Sequence, residues 1–274
     1  MQIGVLYNYW GEESLKEIKN IHDLGFKQCQ LSAWKPDAWT DAHALKLKNE
    51  LDKYEIEVST FWCGWGGPVD WDFCESFTTV GLVPEKYRAM RLQQLKDGAD
   101  FAKKIGVCNV ATHIGFVPEN PHDHNYTALV DVMKELALHC KNNGQYFLFE
   151  TGQETPMTLE RLICDIGTGN LGVNIDPANL VTYGKANPVD SLLILGKYIR
   201  DVHAKDGCYP TNPYEWGPDM PLGMGDVKFP LFVKRLKEIG YDGPVTIECE
   251  FSSFSGAKDI LDARDYIRNL WYNE

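Results

Sequence analysis

Three carboxylates and one imidazole fall at or near the ends of four consecutive apolar segments in the second half of the chain. Glu150 ends "YFLFE", Asp176 ends "LGVNID", His203 lies in "IRDVHA" and Glu248 lies in "VTIEC". If these segments are neighbouring strands of one parallel barrel, their carboxyl ends meet at one rim. Three carboxylates there repel one another unless some are protonated or a cation is present. Three oxygen ligands and one imidazole suit Mn²⁺, Mg²⁺ or Zn²⁺, so the sequence predicts a site for one divalent metal ion.

Further polar and aromatic side chains lie close to the same strand ends. His113 ends "VATH" and Lys205 follows His203 by two residues, so the strand period of two directs both toward the predicted metal site. Aromatic side chains after the early strands offer flat apolar faces on which a sugar ring can stack. The predicted substrate contacts are His113, Glu154, Lys205, Trp62, Trp34 and Asn179. Asn179 is equally well explained as a residue that caps the helix after Asp176.

The elements that must position these side chains alternate between short apolar runs and longer segments of helical period. Strands are predicted at 3–7, 28–32, 57–61, 108–114, 146–150, 171–176, 199–204 and 245–249. Helices are predicted at 13–23, 129–140, 229–238 and near 256–271.

A recurring junction strengthens this interpretation. Gly25, Gly106, Gly144 and Gly240 each stand between the end of a helical segment and the next strand, where a left-handed cap ends a helix. These four helix–glycine–strand units predict a parallel sheet, and the eight predicted strands with helices between them predict one single-domain (β/α)₈ TIM barrel over residues 1–274. An open doubly wound sheet is the alternative, but the first strand lacks the glycine-rich turn usual there.

Two strand-to-helix connections, 62–84 and 205–227, are long and rich in Trp, Tyr and Gly. Loops of this length are usually either functional or disordered, and this aromatic composition, in place of a low-complexity polar one, predicts that both are ordered pocket walls. Tyr9 and Trp10 are expected at the same rim. The sequence leaves open whether Trp65, Trp71 and Trp216 line the pocket or pack the loops.

Composition excludes several partners. The 274 residues carry a formal net charge of −12, which argues against the clustered basic charge that a nucleic acid requires. The chain has no apolar run near the roughly 18 residues of a membrane span, and its start does not look like a signal peptide. Eight scattered cysteines without a C-x-x-C pair are expected to be small buried hydrophobic residues of a cytoplasmic protein.

Five segments together resemble a known superfamily. "LFETGQE", "GVNIDPANL", "DVHAKDG", "PLGMGDV" and "GYDGPVTIECE" occur in this order over nearly the whole chain. They resemble the sugar phosphate isomerase/epimerase superfamily, the xylose-isomerase-like TIM barrels. That superfamily includes ketose 3-epimerases, hydroxypyruvate isomerases and inosose dehydratases.

The resemblance implies a metal site of Glu150, Asp176, His203 and Glu248, and acid/base roles for the two glutamates. It therefore implies a metal-dependent isomerase or epimerase of a small sugar or keto-polyol, and it is compatible with a homo-oligomer. Loss of a proton next to a carbonyl gives an enediolate that a chelated metal stabilises. Return of the proton to the opposite face epimerises the sugar, whereas return to the neighbouring carbon isomerises it.

Two departures from the ketose 3-epimerase pattern keep other reactions open. Asn179 stands where that type has a histidine, and Lys205 is the nearest cation where that type has an arginine. A lyase or dehydratase acting on a keto-sugar or keto-cyclitol begins with the same proton abstraction. A non-catalytic sugar-binding barrel is a further alternative. The acidic charge and only seven histidines argue against a nuclease with several zinc ions.

Overall fold

Eight parallel strands close into a barrel in the computed structural model, which describes residues 1–248 and 257–273. The strands are β1 (Gln2–Tyr9), β2 (Gln28–Ala33), β3 (Glu57–Cys63), β4 (Asn109–Thr112), β5 (Tyr146–Glu150), β6 (Leu171–Ile175), β7 (Ile199–Ala204) and β8 (Pro244–Ile247). Strands consecutive in the chain pair with each other, and β8 pairs with β1 with Ile247 opposite Val5. The predicted (β/α)₈ barrel is therefore confirmed.

Helices follow the strands and surround the barrel. They are α1 (Glu17–Asp23), α2 (Asp41–Lys53), α3 (Ser76–Thr79), α4 (Glu85–Lys104), α5 (His124–Asn142), α6 (Pro156–Ile166), α7 (Pro177–Thr182), α8 (Pro188–Leu195), α9 (Phe229–Glu238) and α10 (Lys258–Tyr272). The first predicted helix is shorter than expected, because Glu12–Ser14 forms a 3₁₀ turn before α1. In the described part of the chain, no helix combines the length and apolar character needed to cross a membrane.

Local sequence explains where these elements begin and end. Thr155 caps α6 by accepting a hydrogen bond from the backbone N–H of Thr158, and Pro156 occupies the first turn, where its missing N–H costs nothing. The four predicted glycine junctions all have positive φ, between 75° and 84°. This left-handed conformation strains other residues, so glycine is the residue that ends these helices at least cost.

The apolar core surrounds the barrel wall, and two predictions about its members are wrong. Tyr9 is buried and stacks on Phe101 of α4, with ring centroids 6.0 Å apart, because the strand alternation turns it outward toward the helices instead of to the rim. Not all cysteines are buried: Cys74, Cys108 and Cys164 are exposed, since they lie on loops or the outer face of a helix. Cys249 lies outside the described residues.

Two long loops stand over the carboxyl end of the barrel. The second includes a pair of two-residue antiparallel strands, Asp206–Gly207 and Asp219–Met220. The buried Asp206 carboxylate accepts hydrogen bonds from the backbone N–H groups of Gly223, Gly225 and Val227. One buried carboxylate thus fixes the shape of this wall, as predicted for an ordered loop.

Candidate metal centre

The four predicted ligands converge at the carboxyl end of the barrel. Glu150 is the last residue of β5, Asp176 directly follows β6, His203 is the fifth residue of β7 and Glu248 directly follows β8. One ligand atom from each lies within 4.8 Å of all the others. Neighbouring parallel strands deliver these groups to one point, so the convergence follows from strand order.

His203 Nδ1 lies at the centre of the acidic group. It is 2.6 Å from Glu248 Oε2, 3.4 Å from Asp176 Oδ2 and 3.6 Å from Glu150 Oε1. Burial alone would lower the pKa of His203, but the charges of Glu150 and Glu248 outweigh it and raise this pKa well above its usual value. The site therefore attracts positive charge strongly.

Glu150 is held by donors on both of its oxygens. Oε2 accepts hydrogen bonds from Trp62 Nε1 and, at 3.0 Å, from Asn174 Nδ2. Oε1 lies 3.2 Å from His113 Nε2 and 3.4 Å from Asn179 Nδ2. Burial would raise the pKa of Glu150, but the charges of His203 and His113 outweigh it and lower the pKa. Glu150 is therefore ionised at neutral pH.

Asp176 also caps the N-terminus of α7. Its Oδ1 accepts the backbone N–H of Asn179 at 2.9 Å, which caps the helix and leaves Oδ2 facing His203. Burial raises the pKa of Asp176, and repulsion from Glu248 adds to this. Proton uptake or a cation would relieve that repulsion.

Glu248 is paired with a cation. Lys205 Nζ lies 3.2 Å from Glu248 Oε1 and 3.7 Å from Asp219 Oδ2. Burial opposes the ionised form of Glu248, but Lys205 and then His203 outweigh it and lower the pKa of this carboxyl. With His203 as a neutral nitrogen ligand, the three carboxylates and Asp219 carry more negative charge than Lys205 and His113 offset, so the donor set fits a bound divalent cation such as Mn²⁺, Mg²⁺ or Zn²⁺.

A cavity of about 880 Å³ is lined by three of the four predicted ligands, Glu150, His203 and Glu248. Five of the six predicted substrate contacts line it, namely His113, Lys205, Trp62, Trp34 and Asn179. Glu154 is not among the lining residues; it is buried, and neither of its carboxylate oxygens has a hydrogen-bond partner. Burial raises the pKa of Glu154 to about 7.

Tryptophans form much of the cavity wall. Trp34 lies 4.9 Å from Trp62 and 6.3 Å from Trp71 between ring centroids. Trp10, Trp71 and Trp216 line the cavity, whereas Trp65 is buried behind the wall. The two long loops therefore contribute to the cavity, as predicted.

Sequence reasoning missed three polar side chains below the ligands. Asn174 and Asp201 each lie two residues before a predicted ligand, so the strand period of two already indicated that they share its face. Gln30 is a fully buried amide in a strand that is buried throughout. Polar residues inside such a strand require partners, which was the available signal.

The fold and the site together define the class: a parallel (β/α)₈ barrel with an acidic and imidazole centre at the carboxyl ends of its strands. The sequence profile of the xylose isomerase-like TIM barrel family matches residues 18–270. The chain belongs to this family.

Three relatives illustrate the relationship. An uncharacterized protein of Methanocaldococcus jannaschii is 28% identical over 237 residues, covering 77% of this chain and 74% of that protein. A ketose 3-epimerase of Arthrobacter globiformis is 28% identical over 170 residues, covering 62% of this chain and 50% of that enzyme. The crystal structure of a xylose isomerase domain protein from Planctomyces limnophilus superimposes with a TM-score of 0.92 at 34% identity, covering 100% of this chain and 99% of that one.

Proposed function

We propose that this protein is a divalent-metal-dependent isomerase or epimerase of a small sugar or keto-polyol. The observation that carries the proposal is the convergence of Glu150, Asp176, His203 and Glu248 beneath a cavity walled by tryptophans. The similarity to a ketose 3-epimerase supports the same reaction class.

The four converging residues would hold Mn²⁺, Mg²⁺ or Zn²⁺. When bound, such an ion supplies Lewis-acid stabilisation of the negative charge that develops on a substrate oxygen. Asp176 and His203 are buried and serve as ligands in this proposal. Glu150 and Glu248 are both ligands and the candidates for proton transfer.

Both glutamates are held in the ionised form, which is the form that can accept a proton. The charges of the two histidines beside Glu150, and of Lys205 beside Glu248, hold their pKa values low, so each is ionised at neutral pH. An ionised carboxylate beside the substrate can remove the proton next to a carbonyl, and the other glutamate can return one. The face to which the proton returns decides between epimerisation and isomerisation.

The wall of the cavity favours an uncharged substrate. Outside the four ligands, the described lining includes the carboxylates of Glu13, Glu17 and Asp219 and the ammonium of Lys205, which pairs with Glu248. A phosphate group would meet repulsion here, whereas sugar C–H faces can stack on Trp34 and Trp62. His113 and Lys205 supply polar contacts to hydroxyl or carbonyl oxygens.

Solvent deuterium incorporation next to the carbonyl, screened over a panel of neutral sugars with Mn²⁺ present, tests the proposal. We expect exchange with at least one sugar, and a loss of about 100-fold or more in Glu150→Gln and Glu248→Gln. Glu57→Gln, exposed at the amino end of β3 and so at the opposite end of the barrel, is the control for loss of one charge. Full activity in Glu248→Gln would remove its acid/base role.

The product distinguishes the alternatives. A product lighter by one water would replace the proposal by a keto-sugar lyase or dehydratase. Sugar binding without exchange in any member of the panel would replace it by a non-catalytic sugar-binding barrel.

A further inference from the structure

A buried chain of hydrogen bonds runs beneath the metal centre from His203 to Asp201. Gln30 Oε1 lies 2.7 Å from His203 Nε2, and Gln30 Nε2 donates to Asp201 Oδ2 at 3.2 Å. All three residues are buried, with at most 1% of their surface exposed. A carbonyl oxygen only accepts, so the contact with Gln30 requires a proton on His203 Nε2.

The orientation of the Gln30 amide is set by Asp201. Its carboxylate accepts hydrogen bonds from Ser59 Oγ at 2.7 Å, Thr60 Oγ1 at 2.8 Å and Thr246 Oγ1 at 3.1 Å. Burial raises the pKa of Asp201, but the hydroxyl donors bonded to its oxygens favour the ionised form, which has no proton to donate. A reversed Gln30 would place its carbonyl oxygen against Asp201, so only the observed orientation gives each group a partner.

The neighbouring amide of Asn174 does not replace Gln30 as the acceptor. Asn174 Nδ2 lies 3.0 Å from His203 Nε2, but this group is a donor and is bonded to Glu150 Oε2, also at 3.0 Å. The N–H groups of Asn174 Nδ2 and of a protonated His203 Nε2 are both donors, so no hydrogen bond forms between them. The acceptor for the Nε2 proton is therefore Gln30.

We propose that Gln30 and Asp201 are positioning residues that keep a proton on Nε2 of His203, so that Nδ1 stays directed at the three carboxylates as a ligand atom. The proposal rests on the metal centre proposed above. A histidine ligand is commonly oriented by an acceptor on its other nitrogen, and losing that acceptor costs about 10- to 100-fold in metal affinity. Here Asp201 does not contact the imidazole itself. It orients the Gln30 amide, and the carbonyl oxygen of Gln30 accepts the hydrogen bond from His203 Nε2.

A purely structural role predicts something different. Gln30 could be replaced by an apolar side chain of similar volume, and such replacements of buried polar groups are often nearly neutral for folding. Asp201 would keep its hydroxyl donors from Ser59, Thr60 and Thr246. Stability and metal affinity therefore separate the two roles.

The test compares Gln30→Met with Gln28→Met. Gln28 is buried on the same strand, and its Oε1 has no hydrogen-bond partner, so it is a matched control. Mn²⁺ affinity is measured by calorimetry, and the ¹⁵N shifts of the His203 ring are recorded in metal-free protein at a pH where the imidazole is neutral. We expect Gln30→Met to lose about 10-fold or more in affinity and to move protons from Nε2 to Nδ1, with Gln28→Met unchanged.

Wild-type affinity together with an Nε2 proton in Gln30→Met would overturn the proposal. If Gln30→Met does not fold, Asp201→Asn takes its place. This substitution keeps the side-chain volume at position 201 and allows the Gln30 amide to reverse, and Mn²⁺ affinity and the ¹⁵N shifts of His203 are measured in the same way. If wild-type protein binds no divalent ion, the metal centre itself fails, whereas the ring shifts still decide whether Gln30 controls the tautomer.

Discussion

Trp62 Nε1 donates a hydrogen bond to Oε2 of Glu150, which ties the end of β3 to the end of β5. Asn174 donates to the same oxygen. Oε2 is therefore occupied by protein donors, and Oε1 is the oxygen that faces His203 Nδ1, at 3.6 Å. Trp62 thus both lines the cavity and helps to hold Glu150 with Oε1 turned toward His203.

Trp62→Phe removes this donor and keeps an aromatic face. A hydrogen bond to a charged group contributes about 1.5–3 kcal/mol, so we expect Mn²⁺ affinity to fall about 10- to 100-fold. Titration calorimetry measures the change. Trp65→Phe is the control, because Trp65 is equally buried and its Nε1 has no hydrogen-bond partner. Equal affinities in the two variants would show that the bond to Glu150 does not position the carboxylate.

Metal removal should destabilise the protein. An ion present at 100 times its Kd adds about 2.7 kcal/mol to the free energy of unfolding. For a chain of this size that corresponds to about 5–10 °C in Tm. We expect this rise when Mn²⁺ is added to chelator-treated protein, measured by scanning calorimetry.

The rise should disappear in Asp176→Asn, which loses one of the buried carboxylates, and persist in Asp131→Asn, which changes the exposed face of α5. A Tm that does not respond to Mn²⁺, Mg²⁺ or Zn²⁺ in wild-type protein would count against the four-residue site.

The barrel was predictable because its signals are local. Each signal is contained in a short stretch of sequence: an apolar run that ends in a polar residue, or a glycine between a helix and a strand, as at positions 25, 106, 144 and 240. The convergence of the four predicted ligands followed from strand order. Asp201 and Asn174 were predictable in principle, since each shares a face with the ligand two residues later.

The cavity wall was not predictable in detail, because contacts distant in sequence decide it. Which tryptophans face the cavity depends on how the 62–84 loop is held, and which atom of His203 faces the carboxylates depends on Gln30, 173 positions earlier. Glu154 shows the same limit. It lies four residues after Glu150, yet the turn carries it into a buried position away from the cavity lining.

Buried Glu154 should make stability pH dependent. Burial raises its pKa from 4.5 to about 7, so between these values the unfolded chain loses a proton that the folded protein keeps. Its stabilising contribution is therefore full below pH 4.5 and is lost as pH rises through about 7. From about pH 5 to pH 8 the loss amounts to about 2–3 kcal/mol.

Urea unfolding of metal-free protein at these two pH values measures the effect. Glu154→Gln should lose less stability than wild type on going to the higher pH, by that amount, whereas Glu119→Gln on an exposed loop should behave as wild type. The same pH dependence in Glu154→Gln and wild type would show that Glu154 is not the group responsible.

Arg91 of α4 should be required for the tryptophan-bearing wall. It is fully buried, and its guanidinium donates to the backbone carbonyls of Gly66, Pro68 and Gly81 at 3.3, 2.8 and 2.6 Å. The guanidinium also lies 5.3 Å from the ring centroid of Trp65. Burial lowers the pKa of Arg91 to about 10, which still leaves it charged at neutral pH.

Arg91→Met removes three hydrogen bonds at once and leaves buried carbonyls without donors. We expect a loss of about 3–5 kcal/mol in the free energy of unfolding, together with a rise in KM for any substrate that the deuterium-exchange screen identifies, as the wall loosens. Arg91→Lys should be intermediate, because an ammonium cannot reproduce the planar fork of donors. Gln93→Met, on the exposed face of the same helix, controls for the substitution. Urea unfolding of the three variants gives the order of their free energies of unfolding. A loss below about 1 kcal/mol in Arg91→Met would mean that other contacts hold the 62–84 loop.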